Sequence, residues 1–99
     1  MKINFSKDSK EFIFKTKNFI SLDNPQRAKD YTLKLVSRIT DMLQYPFIGK
    51  INTTFNDENI REIILDGIKI IYKIYPKSVA VLMMYKYIDI NESEINTDD

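Results

Sequence analysis

The fold is decided by the stretch IREIILDGIKIIYKIYPKSVAVLMMYKY, residues 60–87. Ile60 to Leu65 and Ile68 to Tyr75 are runs of β-branched and aromatic residues separated by Asp66-Gly67. Both central residues of a type I′ turn need positive φ, and Asp-Gly supplies them, so the two runs predict a hairpin. Pro76-Lys77-Ser78 turns the chain again, and Val79 to about Tyr87 predicts one more strand. Together the three strands make an antiparallel meander.

If Leu65 faces Ile68 across the turn, strict alternation assigns the rest. One face holds Ile63, Leu65, Ile68, Ile70, Tyr72 and Ile74 and is almost wholly apolar. It is expected to lie under helices. The other holds Ile60, Glu62, Ile64, Lys69, Ile71, Lys73 and Tyr75. A face that mixes cations with Ile64, Ile71 and Tyr75 suits docking, because a bare monomer gains nothing by exposing those three together. The plainer alternative is a solvated face on which Glu62 pairs a lysine across the strands. Arg61 alternates onto the helix side near Tyr72. A structural arginine reaching a carboxylate or stacking on an aromatic ring is favoured there over a catalytic one.

Upstream, Lys2 to Phe5 alternates as a short strand expected at the edge of the meander. Ser6 is a good N-cap for a helix whose face carries Phe12, Ile13, Thr16, Phe19 and Ile20 and which stops near Ser21 to Asp23. Asn24-Pro25 restarts the chain as a cap followed by a proline at the first helical position. Ala28, Tyr31, Leu35, Ile39 and Met42 form the stripe of this second helix, which frays before Pro46. A short link between two helices predicts an antiparallel helical hairpin. Residues 46–59 read as a loop with an extended piece around Lys50 to Thr54. The expected class is therefore α+β: a strand, a helical hairpin, then the meander, with both helices on one sheet face. Residues 1–99 are expected to form one domain, with residues 89–99 an acidic tail, either disordered or a short helix.

Composition narrows the chemistry. The chain contains no Cys and no His, which removes thiolate sites, disulfides, the commonest general base and the commonest zinc ligand. No cofactor or metal is expected, and any catalysis must use Lys, Arg, Tyr, Asp or Glu. Asp89, Glu92, Glu94, Asp98 and Asp99 leave 15 bases against 9 acids upstream, a net +6 that suits an acidic partner. The first residues carry no apolar core of a signal sequence and no stretch is long enough to span a membrane, so a cytoplasmic protein is expected.

Three landmarks occur in order and at fixed spacing. They are Leu43-Gln44-Tyr45-Pro46-Phe47-Ile48-Gly49 after the proline-opened helix, Ile60-Arg61-Glu62-Ile63, and Gly67 followed by Lys69-Ile70-Ile71-Tyr72. On these the chain resembles the RelE/ParE toxin superfamily over nearly its whole length. The resemblance implies the toxin of a type II toxin–antitoxin system, held in a hetero-oligomer by a cognate antitoxin, with no membrane partner. It also implies one of two targets. Some members cleave mRNA in the ribosomal A site, and ParE-like ones inhibit DNA gyrase.

Cleavage needs an activated 2′-hydroxyl, a neutralised phosphate and a protonated leaving oxygen. Here Lys69 matches the family's basic position, and a ribonuclease would have to work with Lys69, Lys73, Tyr85, Lys86 and Tyr87. The usual His and terminal Arg are missing after Met84. The resemblance therefore leans toward a non-enzymatic, ParE-like inhibitor of gyrase. An mRNA interferase is the first alternative and a non-toxic binding module of the same fold the second. For a binding toxin the partner-facing candidates are Ile64, Lys69, Ile71, Lys73, Tyr75, Lys86 and Tyr87, with Arg61, Gly67 and Tyr72 structural. Phe14 is expected either to add to the antitoxin surface or to serve as a spare core aromatic.

Overall fold

The computed structural model describes residues 1–87 of the 99. The strand β1 (Lys2–Phe5) leads into helices α1 (Lys7–Ser21) and α2 (Pro25–Met42). A short 3-10 turn (Pro46–Ile48) and a two-residue strand β2 (Lys50–Ile51) come next, then β3 (Ile60–Leu65), β4 (Ile68–Ile74) and β5 (Ser78–Lys86). The class is α+β, as expected. The meander is part of a larger mixed sheet of five strands in the order β1-β5-β4-β3-β2, with β1 running parallel to β5.

Local chemistry accounts for the element ends. The Ser6 hydroxyl accepts from the Ser9 N–H, and the Asn24 side chain accepts from the Arg27 N–H, satisfying donors that the first helical turns leave free. At the β3–β4 turn, Asp66 and Gly67 have φ of 52° and 73°, as a type I′ turn requires. Leu65 pairs Ile68 in the register that alternation demands.

One core lies between the helices and one sheet face. Leu35 and Ile39 of α2 and Leu43 just past its end pack against Ile63, Leu65, Ile68, Ile70, Tyr72 and Ile74, the predicted inner face, together with Val79, Val81 and Met84. Two helical details differ from the periodicity. Thr32 is buried in the α2 stripe and Leu43 just past its end, while Tyr31 and Met42 flank it half-buried. On α1, Phe19 is 73% exposed, and among the described residues only Ser9 of that helix is buried. The Ser9 hydroxyl donates to the Val81 carbonyl and the Ser6 hydroxyl to that of Leu82, so the start of α1 is clasped to β5 and its far end is lifted away.

Strand β5 departs from simple alternation. Ile71 pairs Met83 and Tyr72 pairs Val81, so Leu82 is an extra residue on β5, a β-bulge. The bulge reverses the phase of the strand from Met83 onward. Val79 and Val81 face the helices before it, and Met84 and Lys86 do so after it. Met83, Tyr85 and Tyr87 are thereby turned to the opposite, open face. The acidic tail expected over residues 89–99 lies outside the described residues.

Candidate functional site: the open sheet face

The open face is built from alternate residues of β3 and β4 and, through the bulge, of β5. Lys69 stands opposite Ile64 on one neighbouring strand and Tyr85 on the other. Its ammonium sits 3.0 Å from a carboxylate oxygen of Glu62 and 4.3 Å from the centre of the Tyr87 ring. Glu62 is buried, only 7% exposed, and its second oxygen accepts from the Asn52 amide at 3.2 Å. The Glu62 carboxylate holds the Lys69 pKa above its ordinary value by hydrogen bonding and charge, outweighing burial. The folded-state pKa is raised, so this contribution is complete at neutral pH and is lost only as alkali passes the raised value. Lys69 is thus a fixed cation with its charge already met.

The second cation is treated alike. Lys73 lies four residues along β4, roughly 13 Å away in an extended strand. Its ammonium is 3.2 Å from Asp57 and 5.5 Å from the Tyr75 ring centre. Asp57 belongs to the 52–59 loop, which it also caps by accepting from the Asn59 N–H. That backbone bond, then the bond from Lys73, depresses the Asp57 carboxyl below its ordinary 3.8. A depressed carboxyl stabilises the fold above its unfolded pKa and loses that stabilisation as pH falls through the folded value. Between pH 5 and pH 3, Asp57→Asn is therefore expected to lose less stability than the unsubstituted protein, measured by urea midpoints at each pH. Equal acid sensitivity would show the bridge to be idle.

What the face offers a partner is aromatic and aliphatic. Ile64, Met83 and Tyr85 are each about 40–50% exposed around the neutralised Glu62–Lys69 pair, with Tyr87 half-buried beside them. Ile71 is buried beneath, so it supports the face without presenting itself. Tyr75 is exposed at the far end, beside Lys73. Lys86 is not brought to this site. It pairs Ile68 on the helix side of the sheet and lines a separate groove there. Asn52 and Asp57, which set the charge state of the face, escaped the sequence reading. Their only signal was a polar loop rich in Asn and Asp ahead of a strand carrying a buried glutamate.

The helix side holds the structural residues. Arg61 donates to the Gly49 carbonyl at 2.9 Å and stacks over the Phe47 ring at 4.9 Å. The fully buried Tyr72 hydroxyl donates to the Pro46 carbonyl at 2.6 Å and accepts from the Gly49 N–H at 3.0 Å. Burial raises the Tyr72 phenol pKa, with the Gly49 bond and the Arg61 charge opposing. Both side chains thus fasten the 45–49 turn to the sheet and lie away from the open face. Phe14 is 62% exposed on α1. Among the described residues no group of His, Asp, Glu or Cys is placed to hold a metal, and no helix is long and apolar enough to cross a membrane.

Scans against protein-family models and against curated proteins found no match. Among solved structures, the chain is similar to one described as "Chromosomal ParDE TA system from P. aeruginosa". The TM-score is 0.69 at 12% identity, over 88% of this chain and 96% of that one. With so little sequence in common, what the likeness establishes is architecture: the chain has a ParE-like α+β fold.

Proposed function

We propose that this chain is the toxin of a type II toxin–antitoxin pair, neutralised by a cognate antitoxin, and that it acts in the cytoplasm by binding and inhibiting DNA gyrase. The toxin reading is supported by the fold shared with a chain of a ParDE system along most of both lengths. The observation that carries binding over cleavage is the Glu62–Lys69 pair. A phosphodiester-cleaving site needs uncompensated donors aimed at the charge that develops in the transition state. On this face Lys69 is committed to Glu62 and Lys73 to Asp57, and the chain contains no His. A neutral aromatic and aliphatic patch set around a paired charge suits a protein partner, where buried apolar anchors carry the affinity.

The purified protein should block gyrase supercoiling or trap cleaved DNA at micromolar concentration. Ile64→Ser combined with Tyr85→Ala should weaken that inhibition at least tenfold, about 1.4 kcal/mol. Unimpaired gyrase would sink the target assignment. In a translating extract the message should stay intact. Cleavage that disappears with Lys69→Ala or Tyr87→Phe would establish the mRNA-interferase alternative instead.

A further inference from the structure

The open face has a second chemical property, carried by sulfur. The chain has four methionines, Met1, Met42, Met83 and Met84, and no Cys or Trp. Its thioethers are therefore the side chains that a two-electron oxidant meets first. The bulge at Leu82 divides the adjacent pair. Met84 faces the helices and is 5% exposed within the core. Met83 faces the other way and is 44% exposed. Met42 packs half-buried against the core, and Met1 lies beside Pro46 and Phe47 at the 3-10 turn. Of the four, Met83 is the one that stands in the apolar patch around the Glu62–Lys69 pair.

The surroundings of Met83 decide what oxidation does there. Ile71 stands directly across from it, and Tyr85 follows two residues on, beside Lys69 and Ile64. A thioether suits such a patch because it is apolar and adapts its shape to a partner. A sulfoxide is polar, with an oxygen that needs a hydrogen-bond donor. The cation of the patch, Lys69, is already held by Glu62 at 3.0 Å. Water can serve the new oxygen while the face is bare. A partner covering the patch would remove that water and leave a polar atom buried without compensation. The core loses nothing, because the changed sulfur lies on the solvent side of the sheet and Val79, Val81 and Met84 lie on the other.

We propose that Met83 is an oxidation site through which peroxide converts the open face from an apolar binding surface into a polar one. The inference deepens the reading of that face as a binding surface and rests on it. In the step, a lone pair of Met83 Sδ attacks one peroxide oxygen. The O–O bond breaks and an S–O bond forms. The second oxygen takes the proton of the transferred one and leaves as water. Sulfur gives up two electrons and the peroxide accepts them. The change is reversible, since methionine sulfoxide reductases restore the thioether.

The test treats the full chain with hydrogen peroxide and compares each protein with itself before and after. The tryptic peptide of residues 78–86 carries both Met83 and Met84, and its fragment masses tell them apart. Met83 should gain oxygen at least tenfold faster than Met84, with the urea midpoint unchanged. The oxidised protein should leave a phenyl column earlier and inhibit gyrase at least tenfold more weakly. Treatment with both sulfoxide reductases, one for each epimer, should reverse both effects. In Met83→Leu, peroxide should cost less than twofold in inhibition, and the retention shift should at least halve. Oxidation of Met84 as fast as Met83, unfolding on oxidation, or an equal retention shift in Met83→Leu would each overturn the proposal. So would full inhibition by protein oxidised at Met83, or no recovery with the reductases. If the untreated protein leaves gyrase unimpaired, the target assignment fails by itself, and the peptide and retention measurements still decide for or against Met83.

Discussion

Gly49→Ala is expected to lower stability by about 2–3 kcal/mol, through overpacking. The cause is space and not backbone conformation, since Gly49 has φ −79°, an angle any residue adopts. A Cβ there would meet the Tyr72 hydroxyl and stand 2.6 Å from the Glu62 carbonyl oxygen. Neither neighbour gives way. Tyr72 is fully buried and tied by its hydroxyl to Pro46, and the Glu62 carbonyl belongs to a strand in the sheet. Urea denaturation should show a lower midpoint with an unchanged slope. Tyr72→Phe removes one of the two obstacles, so Gly49→Ala should cost less in that background, a non-additivity that a double-mutant cycle reads directly. A cost below about 0.5 kcal/mol, the range of ordinary surface changes, would show that the turn moves freely.

Lys69→Leu should be the most damaging change on the open face. Among the described residues it leaves the buried Glu62 carboxylate with the Asn52 amide as its remaining side-chain hydrogen-bond partner. A buried charge stripped of its partner is a far larger defect than the loss of the pair as a whole. The urea midpoint is expected to fall by at least as much as for Gly49→Ala. Glu62→Leu is expected to be milder, because the freed ammonium reaches water along its flexible stem. Glu62→Leu added to Lys69→Leu should recover most of the loss. If the double variant is no more stable than Lys69→Leu alone, the carboxylate is not the source of the damage.

The sequence exposed some parts of this molecule more readily than others, for local reasons. The Asp66-Gly67 turn was legible because positive φ at two successive residues admits few dipeptides. Once it was placed, alternation assigned the faces of β3 and β4, putting Lys69 and Lys73 together and Arg61 opposite them. Helix caps at Ser6 and Asn24 were legible for the same reason, since donor and acceptor lie within one turn. The phase of β5 was not. The extra residue at Leu82 is set by pairing with a distant strand and leaves no local mark, yet it decides that Tyr85 and Tyr87 join Lys69 while Lys86 is sent to the groove. The partners of the two lysines were hidden similarly, because Asn52 and Asp57 reach the sheet only through the path of a loop. Strand β2, Lys50–Ile51, falls at the start of the extended piece expected around Lys50 to Thr54, but with two residues it left no periodicity to announce its pairing with β3. Phe19 fitted the helical spacing and is nonetheless exposed, because periodicity gives a direction around a helix and not the distance to the next element.

The parallel pairing of β1 with β5 also governs when the protein can come into being. Lys2 to Phe5 find their partners at Ser78 to Val81, so the ends of the described chain close on each other. During synthesis Lys2 to Phe5 wait until Ser78 to Val81 have been made, and the clasp of Ser6 and Ser9 on β5 waits with them. Loop closure over so long a separation is slow compared with forming the helical hairpin. The hairpin is therefore expected to form early, and the finished sheet, with Tyr85 and Lys69 side by side, only once β5 has joined. A polypeptide interrupted before residue 78 would lack the β5 part of that face, Met83 and Tyr85 included, so the binding surface proposed for this protein is completed only by its last described strand.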